Sequence, residues 1–93
     1  MQNENYRLRV RFDGRVQGVG FRYKTKSVAE GYDVNGYVEN LDDGGVMLVA
    51  VGEKGEVRAF VDKVSEVMAD FIRERSERED FADKPYRGFE IRL

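Results

Sequence analysis

From Tyr6 to Phe12 every second side chain is apolar: Tyr6, Leu8, Val10 and Phe12 alternate with Arg7, Arg9 and Arg11. A period of two allows only a strand with one buried face and one wet, here basic, face. The strand runs into "GRVQGVGFR", a loop with glycines at 14, 18 and 20. Beyond it Phe21, Thr25, Val28, Ala29 and Tyr32 recur at helical spacing, with Gly31 as a C-terminal stop. A strand that turns through glycines into a helix is the strongest constraint on this chain, because the next strand must then return beside the first.

The remaining pattern fits that return. "DVNGYVEN" reads as a second strand, "LDDGG" as a hairpin turn and "VMLVAV" as a third strand. After the loop "GEKGE", Val57, Phe60, Val61, Val64, Val67, Met68 and Phe71 form one apolar helical stripe. "GFEIRL" alternates again, with Phe89, Ile91 and Leu93 expected inward. Residues 69–80 are open between a continued helix and a charged edge strand, and the charges of "RERSERED" are expected on a solvated surface. The order is β-α-β-β-α-β(-β): an α+β sandwich with two helices on one face of a mainly antiparallel sheet. A right-handed crossover makes the first two strands parallel, with the third between them. The loop after Phe12 and Asn40 then meet at one sheet edge, roughly 10 Å apart, a gap that a small ligand and a water can span.

Composition narrows the chemistry. The 93 residues are expected to form a single domain, 1–93, and their net charge of −2 gives no global field for nucleic acid or anionic membranes. Cysteine and histidine are both absent. Thiolate chemistry, Cys-based zinc sites and the usual neutral-pH base are therefore excluded, and no metal or other cofactor is expected. No apolar run approaches a membrane span, and "MQNENYRLRV" does not read as a signal peptide, so a cytoplasmic location is expected. Nothing argues against a monomer.

A glycine loop that feeds a helix N-terminus presents unpaired N–H groups, and such nests attract anions with help from the helix dipole. Arg22, in the first helical turn, can add a planar fork suited to two phosphate oxygens. The competing reading is a tight turn with an exposed arginine. Neither G-x-x-x-x-G-K-[ST] nor G-x-G-x-x-G is present, so nucleotide binding gains no support.

"VRFDGRVQGVGFR" resembles the first signature of the acylphosphatase family, G-x-V-Q-G-V-x-[FM]-R after an apolar strand, through Gly14, Val16, Gln17, Gly18, Val19, Phe21 and Arg22. "GYVENLDDGGVMLVAVG" is similar to the second, through Gly36, Tyr37, Val38, Asn40, Gly44, Val46 and Gly52. The resemblance covers residues 6–64 and resumes at "YRGFEIRL". It implies a ferredoxin-like α/β sandwich and metal-free hydrolysis of small acyl phosphates to carboxylate and inorganic phosphate. It further implies a phosphate cradle of Val16, Gln17, Gly18, Val19, Gly20 and Phe21, with Arg22 as phosphate ligand and Asn40 holding the attacking water. Gln17 is expected to brace the loop, Asp42 and Asp43 to form the turn, and Lys24 and Lys26 to lie on an exposed helix face. Glu39 and Leu41 stand where the family usually carries a basic or uncharged residue and a polar one, and the Gly-Pro that commonly ends the second helix is missing.

Two other functions fit the pattern: an anion-binding module of the same fold with weak or no activity, and a nucleic-acid-binding ferredoxin-like domain. The second would need aromatics on the open faces of strands one and three, and there are none.

Overall fold

The computed structural model describes residues 5–93; residues 1–4, part of the segment read as lacking a signal peptide, lie outside the described residues. The elements follow in the order β1 (Tyr6–Gly14), α1 (Phe21–Ala29), β2 (Val34–Asn40), β3 (Val46–Gly52), α2 (Lys54–Val67), β4 (Ile72–Phe81) and β5 (Phe89–Arg92). They build one mixed sheet of order β4-β1-β3-β2-β5. β3 is antiparallel to both β1 and β2, which makes those two parallel, and β5 joins β2 in parallel. This is the expected ferredoxin-like α+β sandwich.

The core lies between the sheet and the two helices. Tyr6, Leu8, Val10 and Phe12 of β1 face Val57, Phe60, Val61 and Val64 of α2, all of them buried. Phe60 anchors the far side, with its ring 5.9 Å from Tyr32 and 5.4 Å from Phe89. Burying a side chain of this size contributes roughly 1.5–3 kcal/mol, so the alternation in β1 determines which face the helices cover. Among the described residues no helix is long and apolar enough to cross a membrane.

Three local expectations are corrected and one open reading is decided. "GEKGE" is not all loop, because the Glu53 carboxylate accepts from the N–H groups of Gly55 and Glu56 (2.9 and 3.2 Å) and starts α2 at Lys54. Val67 does not join the apolar stripe: it is 40% exposed in the last helical turn while Met68 turns inward. α2 ends there, and a short turn leads into β4, so most of residues 69–80 are edge strand. Leu93 lies beyond β5 and is fully exposed rather than inward.

The basic face of β1 also differs from the wet surface expected of it. Arg7 donates to Asp80 (2.8 and 2.6 Å) and to the Tyr86 hydroxyl (3.2 Å), while Arg9 reaches Asp80 at 3.3 Å. Val49 and Val51 beneath them are buried. The segment after β4, which carries Ala82 and Tyr86, folds back over this face, and alternation in β1 could not show that.

Gly36 has φ +138°, and a Cβ there would sit 1.9 Å from the Val49 carbonyl oxygen. Gly36→Ala is therefore expected to lower stability by about 3 kcal/mol or more in urea unfolding, and a loss under about 1 kcal/mol would contradict this packing. Acid unfolding is a second check. Hydrogen bonds hold four carboxyls below their ordinary range: Asp80 from Arg7, Asp43 from the Gly45 N–H and then Arg11, Glu79 from the Tyr6 hydroxyl and then Arg58, and Glu77 from Arg58 and Arg75, which outweigh its burial. Groups lowered in the folded state stabilise above their unfolded values, 3.8 for Asp and 4.5 for Glu, and that stability disappears as pH falls through the folded values. The urea midpoint should hold from neutral pH to about pH 5 and fall steadily below about pH 4.5. A flat profile down to about pH 3 would contradict these ion pairs.

Candidate functional site

The loop between β1 and α1 is held at both ends by the core. Val16 is fully buried and Phe21 is 2% exposed, its ring 5.3 Å from Phe12. Between them Val19 packs partly against the core, while Gly18 and Gly20 are exposed. Both glycines have φ +78°, a conformation that most side chains disfavour and that lets successive amides converge. Space opens in front of each, since a Cβ on either would meet nothing within 4 Å.

The hydrogen-bond ledger of this loop is unusual. Arg15 N–H donates to Phe71 O (2.9 Å) and Lys24 N–H to Gly20 O (3.0 Å), yet the N–H groups from Val16 to Gly20 meet no acceptor among the described residues. α1 begins at once after Gly20 with no side-chain cap and no acidic residue in its first turn. Consecutive free donors therefore run into an uncapped helix N-terminus, an arrangement that favours a bound anion.

Gln17 positions the loop. Its Nε2 donates to the carbonyls of Leu41 (2.8 Å) and Gly45 (2.9 Å), at the two ends of the β2–β3 turn. Below, Arg11 bridges Asp13 (2.8 Å) and Asp43 (2.9 Å), and Asp43 accepts from the Gly45 N–H (3.2 Å). Asp43 thus acts as turn former and ion-pair partner; Asp42 takes no part in this network and sits exposed in the same turn.

Arg22 and Asn40 come to the same strand end. A guanidinium nitrogen of Arg22 donates to the carbonyl of Arg92 in β5 (3.1 Å). Arg92 is the register partner of Glu39, the residue before Asn40. With adjacent strands about 4.8 Å apart, this holds the guanidinium close to the end of β2 and leaves most of its N–H donors free. Asn40 is half-buried, and its side-chain amide makes no hydrogen bond among the described residues. Alternation places it on the helix side with Val38, while Glu39 shares the open side with Tyr37. Lys24 and Lys26 are exposed, and Lys26 donates to Phe89 O (3.0 Å). The sequence did not reveal β5's part: alternation marks it as a strand, but nothing in it says that its carbonyls orient Arg22 and Lys26.

A groove of about 800 Å³ opens on the other side of the loop, lined by Asp13, Arg15, Asp43, Asp70, Arg73 and Glu74 among others. Its carboxylates outnumber its guanidiniums, so an anion is better served at the free amides. Among the described residues no cluster of three or more carboxylates could hold a metal ion.

The acylphosphatase family model matches residues 8–91. An acylphosphatase of Thermotoga petrophila is 48% identical over 58 residues, 62% of this chain and 64% of that protein. The chain thus spans a little under two thirds of the length of this relative. One from Lacticaseibacillus paracasei is 40% identical over 80 residues, 84% of this chain and 86% of that protein. The crystal structure of acylphosphatase from Bacillus subtilis superposes with a TM-score of 0.83 at 31% identity, covering 95% of this chain and 99% of that one.

Gln17→Ala removes two partly buried hydrogen bonds and should lower unfolding free energy by about 1–2 kcal/mol. A change under about 0.3 kcal/mol would mean that the loop is held without them.

Proposed function

Since this chain belongs to the acylphosphatase family, we propose that it hydrolyses small acyl phosphates to a carboxylate and inorganic phosphate. The observation that carries this reading is the run of free amides from Val16 to Gly20 at an uncapped helix start, with Arg22 and Asn40 at the adjoining strand end.

In the proposed mechanism, the phosphoryl oxygens sit on the N–H groups of the loop and of Phe21, and Arg22 contributes two parallel donors. These groups are fixed before substrate arrives, so charge that develops on the phosphoryl oxygens is stabilised without reorganisation. Gln17 acts through its bonds to the β2–β3 turn, keeping the loop in register with Asn40. The Asn40 amide accepts from and orients one water in line with the acyl oxygen. A neutral amide suits this task, because a carboxylate there would repel the phosphate. Water oxygen bonds to phosphorus as the bond from phosphorus to the acyl oxygen breaks, and the carboxylate departs without needing a proton. A phosphate oxygen takes the water's proton. No histidine and no metal is required in this scheme, in keeping with a chain that has no histidine. The location expected from the sequence, the cytoplasm, is compatible with such metabolites.

The test is hydrolysis of benzoyl phosphate in EDTA by wild type, Arg22→Ala and Asn40→Ala. Wild-type turnover should survive EDTA, and each substitution should cut it on the order of 10²-fold or more. If wild type is inactive while phosphate still raises its melting temperature, the chain is an anion-binding module and the catalytic reading fails.

A further inference from the structure

β4 forms one edge of the sheet: it pairs with β1 and leaves its other side open over ten residues. Ala82 N–H donates to Asn5 O (2.8 Å), which sets the phase of the β1–β4 ladder. By that phase the N–H and C=O groups of Arg75, Glu77 and Glu79 point away from β1, an unpaired row of donors and acceptors; the register shift beside Gly14 interrupts the phase at Arg73.

Edge strands are often protected by charge, and β4 is heavily charged. The order of its charges, however, does not repel a second copy. Arg73-Glu74-Arg75-Ser76-Glu77-Arg78-Glu79 inverts its signs about Ser76. We propose that β4 is a homodimer interface, in which two copies pair antiparallel about a twofold axis at Ser76 and extend the sheet across both chains.

Pleating limits the choices. A twofold axis normal to the sheet preserves faces, so opposed residues must point the same way and the axis must pass beside a single residue. Centred on Ser76, Glu74 meets Arg78 and Arg75 meets Glu77, each with the opposite sign. Centred on Arg75 or Glu77, that residue meets its own copy, and the second choice also sets Glu74 against Asp80. Only the Ser76 register is free of like-charge pairs.

The side chains agree with this register. On the helix side, Arg75 is held by Asp62 (3.1 Å) and Ser65 (2.8 Å), while Arg58 takes Glu77 and Glu79 at 3.0 Å each. On the open side, Glu74 and Arg78 make no hydrogen bond or contact ion pair among the described residues. These two meet each other across the axis, twice by symmetry. They fall in non-hydrogen-bonded pairs, where opposed side chains approach most closely.

Sedimentation velocity over a concentration series, in low salt and in about 1 M salt, tests the proposal. Wild type should dimerise reversibly, and more weakly at high salt. Glu74→Arg and Arg78→Glu each turn two attractions into repulsions and should raise the dimer dissociation constant about tenfold or more. The double variant Glu74→Arg/Arg78→Glu restores opposite signs and should return to within about threefold of wild type. Circular dichroism and urea unfolding of each variant verify that the fold is kept. A wild type that stays monomeric to millimolar concentration at low salt overturns the proposal. So do single variants that dimerise as well as wild type, or a double variant that fails to recover.

Discussion

Two buried side chains with four residues between them govern this molecule. Val16 and Phe21 are both packed beneath the sheet-to-helix junction, and between them Val19 turns partly inward while Gly18 and Gly20 face outward. The amides from Val16 to Gly20 find no carbonyl among the described residues, because the strand has ended and the helix has not begun. Backbone donors in that position must turn to solvent or to a ligand. The same anchoring fixes where α1 starts, and so where Arg22 projects. The candidate site is thus a consequence of core packing as much as of the glycines.

Most of this could be read in the residues because it rests on apolar periodicity. β1 announced both its strand and its buried face, and the crossover then required β3 to lie between β1 and β2. β4 was harder to read for a physical reason: between Arg75 and Glu79 its helix-side contacts are ion pairs with Arg58 and Asp62 and a hydrogen bond with Ser65 of α2, and its apolar contacts are confined to its ends, at Ile72 and Phe81. A strand held by charge carries no hydrophobic period, and its residues look like solvated surface. Val67 and Leu93 continue a stripe and an alternation past the last residue that has anything to pack against, so periodicity alone points them inward while both are exposed. The conformation of Gly36, with the Val49 carbonyl where a side chain would go, is equally invisible to periodicity.

The electrostatics of the open face reverse a simple reading of the chain. Three arginines in a row on β1 suggest a basic surface, yet Asp80, Asp13 and Asp43 engage all of them. They hold β1 to β4 and to the β2–β3 turn and leave little potential for a distant anion. Arg22, Lys24 and Lys26 of α1 make no ion pair among the described residues and lie close to the free amides. Local attraction for an anion can therefore coexist with a net negative chain.

The bond from Arg22 to the Arg92 carbonyl ties the first crossover to a strand encoded far downstream. The glycine loop, Arg22 and Asn40 are all synthesised early, and β1, β2 and β3 can pair among themselves without help. Until β5 has docked against β2, however, the guanidinium has no backbone partner at that edge. Contacts this distant in sequence form late, after the loop-closure entropy has been met. A nascent chain can thus acquire an anion-attracting loop well before it acquires a fixed arginine, and the placement of Arg22 beside the loop belongs to the end of folding rather than its onset.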